Sequence, residues 1–146
     1  MANTKPVGVA FSDPELVSGT TITGAAISGG TMSGTALTSA TVGLDVAKPA
    51  AAGTTRADAT AMTASFNWVT AADGTKGAIL PAPTAGRLVV IKNDDTANAI
   101  LKIYAPGSAT INGVAGSTAF SMAAKTACWF VAYDTTSWFS VPLVAS

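Results

Sequence analysis

The sequence predicts an all-β protein: an antiparallel β-sandwich or jelly roll with an extended Gly/Thr/Ser-rich N-terminal arm that carries a pentad repeat. Three observations lead there. Nine of the ten aromatic residues fall between Phe66 and Phe139, with only Phe11 before them, and large aromatics supply much of the apolar area of a small core. Short runs with period-two alternation recur through the same region, punctuated by turn residues. No window of about ten residues shows a helical period, although the Ala-rich "SMAAKTA" could form one turn of helix. The expected division is an arm over residues 1–46, a linker over 47–61 and the β domain over 62–146.

The arm contains "LVSGTTITGAAISGGTMSGTALTSATVG" (Leu16 to Gly43), which has no charged residue. Val17, Ile22, Ile27, Met32, Leu37 and Val42 recur every five residues without a slip. A period of five fits neither a helix nor a plain strand. It fits a chain that turns a corner at regular intervals and sends one aliphatic side chain inward at each step. The stretch resembles the pentapeptide repeat of β-helical solenoids and the Gly/Thr/Ser-rich necks of phage fibre proteins, without the Asp or Asn usual beside the central aliphatic. Five or six pentads make little more than one turn of a four-sided coil, and repeat folds need about three units to bury their faces. The stretch is therefore disordered, stacked on its own domain, or completed by other chains; a flexible low-complexity linker is the plain alternative. The stretch "AKPAAAGTTRADATA", small, polar and punctuated by Pro and Gly, reads as the connection.

In the β domain, "SFNWV" sets Phe66 and Trp68 on one face. "GAIL" is a further strand. "RLVVIKN" and "AILKIYA" follow, separated by "DDTAN", which reads as a solvated hairpin turn. "ATINGVA" holds Asn-Gly, the strongest short hairpin signal, and "TAFSM" is the next strand. "TACWFVAYD" alternates Cys128, Phe130 and Ala132 against Trp129, Val131 and Tyr133. After the turn "DTTS", "WFSVPLV" sets Phe139, Val141 and Leu143 on one face. About eight short strands at this spacing suit a sandwich or barrel.

The totals exclude several classes of function. Eight Lys and Arg balance eight Asp and Glu, and only 11% of residues are charged. No basic patch of the kind nucleic acid requires is present. So few charges at net zero leave little repulsion to oppose association, and suit a surface covered by other protein. Neither a secretory leader nor a membrane span of about 18 apolar residues is expected. The single Cys128 excludes an intrachain disulfide and fits assembly in a reducing cytoplasm. Histidine is absent, which removes the commonest general base and metal ligand. Cys128 reads as core packing in an apolar strand, Asp94-Asp95 lacks calcium-loop spacing, and the glycines of "SGGTMSG" match no phosphate loop. Asp73 and Asp134 fall at turns, where Asp bonds nearby amides. No catalytic residue, metal ligand or cofactor is expected. Trp68, Trp129, Tyr133 and Trp138 could instead form a sugar-stacking platform, although core or interface positions suit most of them better.

The C-terminal half resembles a β domain common among tailed-phage virion proteins. The resemblance lies in an apolar strand ending in Pro, then "VIKN", "LKIYAPG", "ING", and an aromatic strand closing near "TTSWF". With the neck-like arm, it implies a capsid decoration (cement) protein or a head- or tail-fibre component. The partners implied are the major capsid protein and further copies of the chain, most simply as a homotrimer, on the outside of a virion made in a bacterial cytoplasm. Val17, Ile22, Ile27, Met32, Leu37 and Val42 are then the expected contact residues. A carbohydrate-binding β module is the rival, and an enzyme the least expected class.

Overall fold

The computed structural model describes residues 43–142; the pentad positions Val17, Ile22, Ile27, Met32, Leu37 and Val42, and also Leu143, lie outside them. Among the described residues every regular element is a β-strand. β1 (Val46–Ala47), β3 (Phe66–Val69), β5 (Leu88–Asn93), β10 (Ala127–Ala132), β11 (Ser137–Pro142), β7 (Thr110–Ile111) and β8 (Val114–Ala115) lie side by side, in that order, in a seven-stranded sheet. β2 (Thr60–Ala61), β4 (Gly77–Ile79), β6 (Leu101–Tyr104) and β9 (Phe120–Met122) form a four-stranded sheet.

The expected antiparallel sandwich or jelly roll is not what forms. Through its first six strands the chain alternates between the sheets, and each strand pairs in parallel with the one two before it: β1 with β3, β3 with β5, β2 with β4, and β4 with β6. Val46 lies beside Phe66 and Phe66 beside Val90, steps of 20 and 24 residues. This is a β-solenoid, in which each coil lays one strand in each sheet. Parallel neighbours need a crossover of a dozen residues or more, and here the strand of the opposite sheet is that crossover. Apart from an isolated bridge between Ala52 and Gly77, antiparallel pairing enters only later, where β9 joins β6, β10 joins β5, and the hairpins β7–β8 and β10–β11 form. Both sheets are therefore mixed or parallel in their main body.

The turn residues were visible in the sequence, but several of them make corners between the sheets rather than hairpins. "DDTAN" carries the chain from β5 in the large sheet to β6 in the small one. Asp95 is buried rather than solvated, and its carboxylate accepts from Ala99 N at 2.6 Å. Between β3 and β4, Asp73 Oδ1 accepts from Thr75 N and Lys76 N at 2.9 and 2.8 Å. The stretch 47–61, read as a connection, contributes β2 and part of β1, and Ala51 within it is buried in the core. Its corner closes tightly: Gly53 has φ +67°, and a Cβ there would collide with the Asp58 carbonyl oxygen. "SMAAKTA" forms no helix; Lys125 takes φ +60° and its N–H donates to Asn93 O, turning β9 into β10.

The core lies between the sheets. Val89, Ile91, Phe130 and Trp138 from the large sheet meet Leu101, Ile103 and Met122 from the small one. Phe120 and Phe130 join them edge to face, with ring centroids 5.5 Å apart. Asn93, fully buried, ties the layers by polar contacts: Nδ2 donates to Met122 O in β9 and to Ala99 O in the β5–β6 corner. Oδ1 accepts from Asp95 N at 3.2 Å.

Candidate functional site

Residues of opposite parity to the core point to the outside of the large sheet, and most of them are apolar. Register places Val46, Phe66, Val90, Trp129 and Val141 in one row across five strands. A second row holds Leu88, Val131 and Phe139. The Tyr133 ring stacks on Phe139, with centroids 4.5 Å apart and planes inclined by 30°. Val90 is buried between its row neighbours, but Trp129 is 42% exposed, Phe139 50%, Val141 51%, Tyr133 53% and Val46 69%. An outer sheet face usually alternates to polar residues; this one does not.

One end of the face is cationic. Lys92 Nζ lies 3.8 Å from the centroid of the Trp68 ring and Lys48 Nζ 5.5 Å, within reach of a cation–π attraction. Lys92 also pairs with Asp94 at 3.0 Å. The Trp68 indole nitrogen faces the Asp94 carboxylate without completing a hydrogen bond of ordinary geometry; the indole and then the Lys92 ammonium hold the Asp94 carboxyl below its usual value. At the other end, Asp45 is held low by Ser65, whose N–H donates to it at 2.8 Å. Asp134 is held low by the Thr136 backbone N–H at 2.7 Å.

The four candidate sugar-stacking residues do not come together. Trp138 is fully buried in the core, while Trp68, Trp129 and Tyr133 belong to the outer face. Cys128 is buried, and desolvation pushes its thiol up to about 11, the reverse of what a nucleophile needs. Among the described residues no group of three His, Cys, Asp or Glu is placed to hold a metal. A groove lined by Thr54, Thr55, Arg56, Tyr104 and Ser117 has no carboxylate or thiol among these residues, and Arg56 Nη1 donates to the Gly107 carbonyl. The chemistry available on this surface is apolar contact.

Sequence reasoning placed Phe66 with Trp68, and Trp129 with Val131 and Tyr133, but not the two sets on one surface. Parity within a strand is readable; which strands are neighbours is not. A scan against protein-family models finds no match to the chain, and a search of curated proteins finds none either.

Proposed function

We propose that this chain is a structural virion protein that binds the outer surface of a phage capsid and stabilises it by bridging major capsid subunits. The observation that carries this reading is the outer face of the seven-stranded sheet, where Val46, Trp129, Tyr133, Phe139 and Val141 leave apolar surface uncovered. A protein with 11% charged residues and such a face is built to meet other protein. The pentad aliphatics of the arm supply further contacts along the capsid, and many weak contacts repeated by symmetry add up to firm attachment.

Replacing Ile27 and Met32 together by Asp tests the arm's part in this. The variant is expected to fold normally, by circular dichroism and thermal melting, yet to be missing from assembled particles. Unchanged incorporation overturns the reading. A fibre component is the second reading favoured by the neck-like arm, and it differs in copy number per particle.

A further inference from the structure

We infer that the outer face of the seven-stranded sheet is a self-association surface, covered in solution by a second copy of this chain. The first argument is area. At about 200 Å² for an aromatic side chain and somewhat less for valine, the exposed fractions of Val46, Trp129, Tyr133, Phe139 and Val141 leave roughly 500 Å² of apolar surface in water. The half-buried Phe66, Trp68, Leu88 and Val131 on the same face bring it to roughly 700 Å². Monomers rarely expose a patch beyond about 600 Å², and a partner in a stable complex contributes about 800 Å². The face alone is therefore close to what one side of a stable dimer needs.

The second argument is charge. Lys48 follows Ala47 and Lys92 lies near the end of β5, whereas Asp45 precedes Val46 and Asp134 lies in the β10–β11 turn, beyond Leu88 at the start of β5. Both ends are mixed, since Asp94 pairs with Lys92 at the first and Arg87 lies near Asp45 at the second, but among these groups the first keeps one net positive charge and the second one net negative. Two copies laid face to face with strands opposed bring unlike ends together, and a chain of net charge zero has no overall repulsion against its own kind. Glycan binding fits the face less well. Aromatic rings that stack on sugars work beside amides and carboxylates free to fix the hydroxyls, whereas the two rows themselves are apolar and the Asp94 carboxylate beside Trp68 is already paired with Lys92.

The test uses the purified full-length chain. Native mass is measured by light scattering on a sizing column at about ten to a hundred micromolar, for wild type, Trp129→Glu, Val141→Glu and, as a control off the face, Val114→Glu. The wild type and Val114→Glu are expected at a multiple of the 14.4 kDa chain mass. Both face variants are expected at the chain mass itself, with an unchanged circular dichroism spectrum. A wild type that runs as a monomer overturns the inference, and so does an oligomer that survives both face substitutions. Should Trp129→Glu unfold, Trp129→Ser removes the same ring without adding charge and is read the same way. With this face covered by a second copy, capsid contact in the virion reading falls to the arm; self-association is measured on purified chain and the virion role on particles, so the failure of one is distinguishable from the failure of the other.

Discussion

Replacing Asn93 by Ala removes the polar link between the two sheets and is the substitution whose cost the structure specifies best. Asn93 is fully buried. Its side chain makes three hydrogen bonds, to Ala99 O at 3.0 Å, to Met122 O at 3.2 Å, and from Asp95 N at 3.2 Å. Each contributes about 1 kcal/mol net, and partners left buried and unpaired raise the cost. The loss expected is about 3 kcal/mol, which lowers the melting temperature of a domain this size by about 15 °C. Thermal and urea melts followed by circular dichroism measure both. A loss under about 1 kcal/mol would refute the argument that Asn93 bridges the sheets. Asn93→Asp keeps the shape and one acceptor but loses the donors, and it aims a carboxylate at two carbonyl oxygens beside Asp95. Its folded pKa then lies above its unfolded value, so its deficit relative to wild type is smallest in acid and widens as pH rises.

Three further outcomes concern a glycine, the aspartate carboxyls and the cysteine. Gly116→Ala forces a methyl to within 2.6 Å of the Ala105 and Ala109 carbonyl oxygens, and backbone cannot yield as a side chain tip does; a loss of about 2 kcal/mol is expected in the same melts. The carboxyls of Asp45, Asp58, Asp73, Asp94 and Asp134 are all held below 3.8 in the folded chain, Asp73 furthest, by the Lys76 and Thr75 backbone N–H groups and the Thr75 hydroxyl. Their stabilisation is complete above the unfolded value near 4 and is lost as pH falls through the folded ones. The melting temperature should therefore hold level from pH 5 to 8 and drop below about pH 4, less steeply in Asp73→Asn. Cys128, buried and with its thiol pushed up to about 11, should resist a thiol-specific reagent at pH 8 until denaturant is added; prompt reaction in the folded protein would contradict its placement.

Local chemistry was largely readable in the sequence. Asn112-Gly113 makes the β7–β8 hairpin, with φ of +53° and +78° at its centre, as Asn-Gly does where both residues need positive φ. The alternation of "TACWFVA" separated Cys128, Phe130 and Ala132 from Trp129 and Val131, and the structure buries the first set, with Cys128 in the core as read, and leaves Trp129 exposed on the other face. Asp73 and Asp134 cap turns through backbone amides. Pairing partners were not readable, because a Gly- or Asp-rich stretch that makes a corner between sheets looks the same as one that makes a hairpin. The run Leu88 to Ile91 carried a signal that points the right way: four consecutive apolar residues suit a strand covered on both faces and paired in parallel. Three of those four are indeed buried, with Val90 covered by its row neighbours on the outer side. The stretch 47–61 reads as a connection because Ala47, Ala51 and Ala61 are small. In a solenoid the contacts of a short strand come from the next coil rather than from bulky side chains of its own.

Copy number in purified particles tests the central claim most directly. Quantitative mass spectrometry of this chain against the most abundant virion protein is expected to give a ratio comparable to the major capsid subunit, as a surface-wide bridging role requires. A small fraction of that count would contradict decoration and move the chain to a tail or vertex fibre, and its absence from particles would contradict a virion role altogether.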